Sequence, residues 1–272
     1  MDHGLMKLVD SGSNFARYQF GDLGVVALRD GYVDMPPTRL RREGGAAFDK
    51  PPAGTHLVEG QLRLSVNAFL VIEPRRSILI DTGASNAWLP TMGGLYDSLK
   101  EAGIERESIT DVALTHTHED HVSGLIAPDG SNAFPGAKQI VVPKEEIRVF
   151  KGRLAGLRDQ VTPISDGFRV SDRVTAVTAS GHSPGHTAYA IVSSVGTLVA
   201  WGDIIHVPSL QFGRPEITWE FDSDQPKARE ARLTLLNQVA QPNCLVAGAH
   251  LDFPGIGYVH KRGESFEFEP VG

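Results

Sequence analysis

The fold is decided by the stretch Thr115-His116-Thr117-His118-Glu119-Asp120-His121, which follows the apolar run Asp111-Val112-Ala113-Leu114. The stretch places three imidazoles and the carboxylate of Asp120 within six consecutive positions. Imidazole nitrogen and carboxylate oxygen are donors that suit Zn²⁺ and neighbouring divalent ions, and both are available near pH 7. The apolar run predicts a buried strand, so we expect a metal site at its C-terminal end, where layered α/β folds usually place their sites.

Composition limits what surrounds this site. The chain has 272 residues, a formal net charge of −7 and 41% hydrophobic residues, which is typical of a soluble globular protein with one large domain or two at most. The acidic balance gives no electrostatic reason to expect nucleic acid as a partner. Cys244 is the only cysteine, so a disulfide framework and a cysteine-based zinc knot are both excluded. With no secretory leader and no apolar run of about 18 residues, we expect a cytoplasmic protein that does not contact a membrane.

Short apolar runs separated by turn sequences predict a strand-rich α/β fold. We expect strands at residues 24–29, 62–72, 77–80, 111–114, 139–142, 174–177, 187–192 and 197–200, and a last strand at 243–247. Helices are predicted at 94–102, at 144–150 and after Asp224, a suitable N-cap followed by Pro226. The Pro/Gly/Arg-rich segment at about 35–60 predicts a long loop that serves as a lid or as an oligomer contact. No linker divides the chain, and we expect one domain over 1–272.

Three further motifs place a His or an Asp beside a Gly or Pro turn. They are Gly181-His182-Ser183-Pro184-Gly185-His186, Trp201-Gly202-Asp203 and Ala247-Gly248-Ala249-His250. A glycine beside a ligand lets the backbone bend sharply, so that the side chain points into a cleft. With the first motif, the chain offers seven candidate metal ligands, which are His116, His118, Asp120, His121, His182, Asp203 and His250.

This order of ligands, H-x-H-x-D-H followed by separate His, Asp and His, resembles the metallo-β-lactamase superfamily over about Asn67 to Gly257. The resemblance implies an αββα sandwich, with two mixed sheets flanked by helices and a dinuclear site. In this arrangement one ion is held by His116, His118 and His182, the second by Asp120, His121 and His250, and Asp203 bridges the two. Two divalent ions are expected, with Zn²⁺ favoured and Mn, Co or Fe as alternatives. An anionic bridge offsets the repulsion between adjacent ions, and two cations acidify a bridging water.

Flanking stretches resemble the methyl parathion hydrolase-like group of that superfamily. They include Ser65 to Leu70, Trp201 to His206, Phe221 to Asp224 and Ala249 to Gly257. The resemblance implies a zinc-dependent hydrolase in which a metal-bridging hydroxide attacks organophosphate triesters, aryl esters or lactones. It also implies a small-molecule substrate and a homodimer. By position, Trp88 and Phe150 are expected to be two of the aromatic residues around the substrate.

Three other side chains receive roles from their positions. His206 follows Asp203 by three residues, where lactone-hydrolysing relatives carry a tyrosine that assists the substrate carbonyl, and an imidazole can donate the same hydrogen bond. We therefore expect Asp120, Asp203 and His206 to be the catalytic residues. Asp81 either orients a metal-bound imidazole or only ends a strand in an Asp-Gly turn. His186 is expected to support its turn rather than to bind metal, and we expect no metal-binding role for the remaining histidines, His3, His56 and His260.

Two alternatives share the ligand motif. The main activity could be that of an N-acyl homoserine lactone-type lactonase, or the protein could be a mononuclear iron enzyme similar to persulfide dioxygenases. The complete second ligand set of Asp120, His121 and His250 favours two ions over one. A binding module with a decayed site is disfavoured, because none of the expected ligands is missing.

Overall fold

The protein is described by a computed structural model over residues 4–271, in which two β-sheets pack face to face. In chain order the strands are β1 (Met6–Ser11), β2 (Phe15–Phe20), β3 (Leu23–Met35), β4 (Leu40–Arg41), β5 (Leu62–Glu73), β6 (Arg76–Ile80), β7 (Asp111–Ala113), β8 (Gln139–Pro143), β9 (Val161–Ile164), β10 (Val174–Thr178), β11 (Thr187–Val192), β12 (Thr197–Ala200), β13 (Thr218–Trp219), β14 (Cys244–Ala247), β15 (Ile256–Arg262) and β16 (Ser265–Pro270). The α-helices are α1 (Leu95–Glu101), α2 (Glu119–Val122), α3 (Pro208–Gln211) and α4 (Gln225–Val239).

Both sheets are mixed. The first contains eight strands in the order β1-β2-β3-β5-β6-β7-β8-β9, antiparallel up to β6 and parallel from β6 to β9. The second contains six strands in the order β10-β11-β12-β14-β15-β16, and its only parallel pair is β12 with β14. A separate two-stranded pair joins β4 to β13. The parallel strands end at the same edge of each sheet, and this edge carries the ligand motifs.

The main core lies between the sheets, and helices cover their outer faces. Ile78 of the first sheet and Tyr189 and Leu198 of the second are fully buried in this central cluster. Helix α1 packs Leu95 and Leu99 against the outside of the first sheet. Helix α4 packs Leu235 and Leu236 against the outside of the second sheet. The predicted αββα sandwich is therefore confirmed.

Helix α4 begins where the sequence predicts. The Asp224 side chain accepts a hydrogen bond from the Lys227 amide at 3.1 Å, as expected of an N-cap, and Pro226 lies in the first turn. Its apolar positions form the buried face against the second sheet. Within residues 4–271, no helix is long and apolar enough to cross a membrane.

One predicted element and the predicted place of another are wrong. Residues 144–150 form a turn and a short 3₁₀ segment, Ile147–Val149, rather than an α-helix. In this segment Glu146 directs its side chain to two other loops, and these contacts hold the backbone in the observed turn. The strand ending at Ala247 is not the last, because β15 and β16 follow it and complete the second sheet. Strands β1, β2 and β9 were also not predicted.

The segment predicted as a long loop is partly anchored. It contains the 3₁₀ turn Pro37–Arg39 and the short strand β4, which pairs with β13. Leu40 is fully buried beside Trp219 in a satellite apolar cluster. The start of the segment thus supports the wall that carries Trp219, while its role as a lid or an oligomer contact stays a prediction.

Candidate active site

Both sheets contribute ligand motifs to one cluster of buried histidines and aspartates. In the first sheet, β7 leads into His116 and His118, and α2 carries Asp120 and His121. In the second sheet, three motifs follow or join strands: His182 lies between β10 and β11, Asp203 follows β12, and His250 follows β14. Six of the seven residues are at most 7% exposed, and His118 is partly buried. The cluster therefore lies at the strand-end edge of the sandwich.

The first group of donor atoms contains His116, His118, His182 and Asp203. The Nδ1 atom of His118 lies 3.0 Å from His116 Nε2 and 2.9 Å from His182 Nε2. One carboxylate oxygen of Asp203, Oδ2, lies 3.1 Å from His182 Nε2. These four side chains thus aim their donor atoms at a common point.

The second group contains Asp120, His121 and His250. The Oδ2 atom of Asp120 lies 3.6 Å from the Nε2 atoms of both His121 and His250. Asp203 reaches this group as well, with Oδ1 at 3.0 Å from His121 Nε2 and Oδ2 at 3.2 Å from His250 Nε2. Asp203 is therefore adjacent to both groups, which is the position that a bridging ligand requires.

The arrangement of these donor atoms fits the coordination of divalent ions better than it fits hydrogen bonds between the side chains. His118 Nδ1 faces two other imidazole nitrogens at once, and a tetrahedral ion with metal–nitrogen bonds of about 2.0–2.1 Å needs donors about 3.3 Å apart. The buried His121 Nε2 and Asp203 Oδ1 atoms have no hydrogen-bond partner within residues 4–271. Buried polar atoms normally have partners, so a cation explains these contacts best.

A polar group behind each of three imidazoles fixes which nitrogen faces the cluster. The Nδ1 atom of His121 lies 2.8 Å from Asp81 Oδ2, and that of His182 lies 2.8 Å from Asp222 Oδ1. His250 Nδ1 lies 2.7 Å from the Ser65 carbonyl oxygen. An acceptor at Nδ1 holds the proton there, which leaves the Nε2 lone pair free for a metal. Asp81 thus occupies the position of an orienting carboxylate, and Asp222 is a second one that the sequence did not reveal.

His186 supports Asp203 from behind. Its Nδ1 atom lies 3.1 Å from the Ala179 carbonyl, and its Nε2 atom accepts the Asp203 amide hydrogen bond at 3.0 Å. Gly202 permits this approach, because a Cβ there would lie 2.8 Å from His186 Nε2 and its φ is +55°. Of the histidines expected to have no metal role, His56 is exposed, His260 pairs with Glu269, and His3 lies outside the described residues.

The charges in the cluster are strongly coupled. Burial and the neighbouring His182 lower the pKa of His118 to about 4. Burial also opposes a charge on His182, but Asp203 and Asp222 outweigh it and raise the pKa of His182 to about 9. Burial alone would raise the pKa of Asp203, yet the surrounding imidazoles, His121 first, hold it well below its usual range. The Asp203 carboxylate is thus matched by positive charge, which is what a divalent ion also supplies.

A cleft of about 210 Å³ opens above the cluster. Its walls are mainly apolar and come from Val33, Met35, Leu64, Trp88, Trp219 and Phe221, while the histidines and aspartates form its floor. Within residues 4–271, no lysine or arginine lines it, and Glu119 adds a carboxylate. The cleft therefore suits an apolar, uncharged molecule.

The two aromatic residues predicted for this cleft have different positions. Trp88 lines it and is 39% exposed. Phe150 does not line it and was wrongly placed there, because it is 3% exposed and packs with Leu154 and Leu157 in the core under the first sheet. Phe150 follows the 3₁₀ segment Ile147–Val149 and is buried. The aromatic wall comes instead from Trp219, at the end of β13, and from Phe221 in the turn after it, and their spacing of two residues was the available sequence signal.

His206 lies on the floor of the cleft. Its ring stacks on Trp219 with centroids 5.2 Å apart, and its Nε2 atom lies 3.3 Å from Asp203 Oδ2. Both ring nitrogens are buried and lack a hydrogen-bond partner within the described part of the chain. Gln211 fixes the local backbone by accepting the His206 amide hydrogen bond at 2.8 Å. The imidazole is thus held in place and has free capacity toward a molecule in the cleft.

Comparisons with known proteins agree with this geometry. The profile of the Metallo-beta-lactamase superfamily matches residues 62–250, which cover all seven candidate ligands. A solved structure of a hydrolase, AbOPH, in the beta lactamase superfamily superposes with a TM-score of 0.85 and 27% identity, over 97% of this chain and 99% of that one. A dizinc quorum-quenching lactonase, AidC, in complex with the product N-hexnoyl-L-homoserine, superposes with a TM-score of 0.82 over 95% of this chain and 98% of that one. Its identity of 23% shows a shared fold.

One curated relative is similar over part of its length. The chain is 32% identical over 129 residues to an atrochrysone carboxyl ACP thioesterase from Pseudocercospora fijiensis (strain CIRAD86). This match covers 46% of the chain and 33% of the relative. The chain therefore spans only about a third of that protein.

Proposed function

Because the chain belongs to the metallo-beta-lactamase superfamily, we propose that it is a dinuclear metal-dependent hydrolase of uncharged esters. The proposed substrates are organophosphate triesters, aryl esters and lactones. One observation carries the proposal: the buried His/Asp cluster forms the floor of an apolar cleft that no lysine or arginine among residues 4–271 lines. The floor provides ligands for two ions, and the walls select the kind of molecule that reaches them.

The residues divide into two ligand sets. His116, His118 and His182 hold one ion, Asp120, His121 and His250 hold the second, and Asp203 serves both. Imidazole and carboxylate donors at these spacings favour zinc over magnesium or calcium, which prefer oxygen ligands. Two bound divalent ions would supply Lewis acidity and lower the pKa of water enough to provide hydroxide at neutral pH.

The cleft favours neutral substrates. A carboxylate or phosphate group that enters an apolar cleft loses its hydration and needs a cationic partner to offset the cost, which is several kcal/mol for a buried ion in proteins. The cleft side chains include no such partner among residues 4–271, and the negative charges of Glu119, Asp120 and Asp203 offset part of the positive charge that the two proposed ions would add at the floor. A neutral triester, aryl ester or lactone avoids this cost, whereas a β-lactam with its free carboxylate does not.

Other residues of the chain bind and orient the substrate. Trp88, Trp219 and Phe221 provide flat apolar surfaces for an aryl or acyl group. His206 is positioned to donate a hydrogen bond to a substrate oxygen, because its ring is fixed by stacking and its nitrogens have no hydrogen-bond partner among residues 4–271. We propose Asp120 and Asp203 as the catalytic carboxylates, together with His206. As metal ligands they would hold the positive charge of the ions beside the substrate atom that is attacked.

The comparisons support a hydrolase but differ in their chemistry. The AbOPH structure, at 27% identity, is described as a hydrolase, and its match over almost the whole chain supports a hydrolase. Membership of the methyl parathion hydrolase-like subgroup is part of the proposal and rests on the flanking stretches of sequence. A lactonase is the second candidate, and His206 favours it because an imidazole at the floor can assist a lactone carbonyl. The partial thioesterase relative adds thioesters to the substrates that require testing.

A substrate panel on protein of measured metal content tests the proposal. The panel contains an aryl phosphotriester, a phenyl ester, an N-acyl homoserine lactone, a thioester and a β-lactam, with the aryl phosphodiester as the anionic match of the triester. We expect two zinc ions per chain. We also expect turnover of a neutral ester at least tenfold above that of its anionic match, and a tenfold ratio corresponds to about 1.4 kcal/mol of differential transition-state binding. Removal of the metal by a chelator should abolish turnover, and zinc should restore it.

Two results would contradict the proposal. Fewer than one tightly bound divalent ion per chain, in protein purified without chelator, would remove its basis. One iron ion per chain, with oxygen uptake on a persulfide substrate and no hydrolysis, would favour the redox alternative instead.

The remaining sequence predictions are part of the proposal. We propose a single hydrolase domain over 1–272, a homodimer and a cytoplasmic location. Light scattering coupled to size-exclusion chromatography measures the molar mass of the protein in solution. A mass of one chain would contradict the homodimer.

A further inference from the structure

We propose that Glu146 is a positioning residue that holds His116, His118 and His182 in register for one of the two ions. This inference rests on the proposed dinuclear function. Glu146 lies in the turn after β8, outside every ligand motif, and it does not line the cleft. Its effect is therefore transmitted through the loops that it contacts.

The Glu146 carboxylate joins two turns that are far apart in the sequence. Its Oε2 atom accepts the Thr117 hydroxyl hydrogen bond at 2.7 Å, and its Oε1 atom accepts the Gly185 amide hydrogen bond at 2.8 Å. Thr117 is the residue between His116 and His118, and Gly185 lies in the turn that begins at His182. One carboxylate thus links the chain segments that carry all three imidazoles of this ligand set.

The contact is closely packed. Glu146 is only 9% exposed, and a Cβ at position 185 would lie 2.7 Å from Glu146 Cγ and 3.0 Å from Pro143 Cβ. Only glycine therefore allows the turn to approach the carboxylate this closely. Within residues 4–271 Glu146 forms no ion pair. Its carboxylate therefore acts on the structure through its two charge-assisted hydrogen bonds to the turns.

The two ligand sets have different supports. Asp81 contacts His121 of the second set directly, and it also accepts both hydrogen bonds from Thr115, whose hydroxyl lies 3.1 Å from His116 Nδ1 of the first set. Glu146 contacts the turns of the first set and none of Asp120, His121 or His250. Loss of Glu146 should therefore weaken the binding of one ion, whereas a general destabilisation would weaken both.

Zinc binding by the full-length chain tests this inference. Metal-free protein is equilibrated with zinc at buffered free concentrations, and bound zinc per chain is measured. For Glu146→Ala we expect one binding step to weaken by about 10–100-fold, the usual effect of removing a group that orients metal ligands, with the other step unchanged. The matched control is Glu145→Ala, because Glu145 is the exposed neighbour and should leave both steps unchanged.

A conservative variant should restore binding. In Glu146→Gln the amide oxygen can accept the Gly185 hydrogen bond while the amide nitrogen donates to the Thr117 hydroxyl, so both turns stay linked. A double variant identifies which of the two ions Glu146→Ala weakens. It is made in the His118→Ala background, which already lacks a ligand of the first set. Adding Glu146→Ala there should cause no further loss of the remaining ion.

The possible failures are distinguishable. If Glu146→Ala binds both ions as the unmodified chain does, or weakens both in parallel with a lower unfolding temperature of the metal-free protein, the positioning role is refuted. Further loss of the ion that remains in the His118→Ala background would refute it as well. If the unmodified chain itself binds no zinc, the proposed function fails first.

Discussion

Replacement of the buried Arg232 by methionine should destabilise the protein more than any change at an exposed arginine. Arg232 lies on α4 and is 1% exposed. Its guanidinium donates hydrogen bonds to the carbonyls of Ile204 at 2.7 Å, Pro215 at 3.0 Å and Ile217 at 2.7 Å. It also lies 3.9 Å from the Asp222 carboxylate, which in turn holds His182. The side chain therefore connects α4 to the loops on both sides of the cleft floor.

The size of the effect follows from these contacts. Methionine keeps most of the apolar stem, so the loss comes from the donors to three buried carbonyls, of which only that of Ile217 keeps another donor, Gln211, and from the guanidinium beside the Asp222 charge. Removing one partner of a buried pair costs about 3–5 kcal/mol, and the separate losses are not additive. We therefore expect about 4 kcal/mol, a large part of the about 5–15 kcal/mol that stabilises a typical domain.

Thermal and urea unfolding measure this loss. At about 2–4 °C per kcal/mol for chains of this size class, the unfolding temperature of Arg232→Met should fall by about 8–16 °C. Arg229→Met is the matched control, because Arg229 lies on the same helix and pairs at the surface with Glu43, an interaction worth about 0–1 kcal/mol. A shift for Arg232→Met no larger than that of the control would refute this account of the buried guanidinium.

The remaining predictions concern metal and substrate. Asp203→Asn should lower both zinc content and turnover far more than His186→Ala does, and equal losses by metal analysis would make His186 a ligand rather than a support. Trp88→Ala should raise KM for aryl substrates with little change in stability, since Trp88 is 39% exposed. By contrast, Phe150→Ala should lower the free energy of unfolding in urea by about 3–5 kcal/mol without a change in substrate preference. The opposite pattern would return Phe150 to the pocket. Zinc at about 100 times the Kd of a site should stabilise the chain by about 2.7 kcal/mol for each site filled, and an unfolding temperature independent of free zinc would contradict binding to the folded state.

The candidate ligands were recognisable from sequence because their chemistry is local. His116, His118, Asp120 and His121 form one short motif after an apolar strand, and the ligand type and spacing do not depend on distant residues. The same holds for most strands and for the start of α4, where Asp224 and Pro226 are sufficient signals. Local pattern thus predicts which residues can hold a metal and which fold class contains them.

Failures occurred where a residue's role depends on what packs against it. The sequence of residues 144–150 suits a helix, but the short segment is held by the contacts of Glu146 to two other turns. Phe150 was indistinguishable from a pocket residue, because burial in the core and exposure in a cleft require the same kind of side chain. Strands β15 and β16 contain charged residues on their exposed face, which weakens their apolar signal.

The sequence by itself determined the set of imidazole and carboxylate donors and the layered fold, because both depend on residue type and short-range periodicity. The tertiary structure decided how those donors are supported and what can reach them. Pairing of β4 with β13 brings Leu40 against Trp219 and forms one wall of the cleft. Asp222 reaches His182, and Glu146 joins the turns of Thr117 and Gly185, through contacts between residues 29 to 40 positions apart. Such contacts arise only when the sheets pack, since no local preference of the chain specifies which distant side chains will meet.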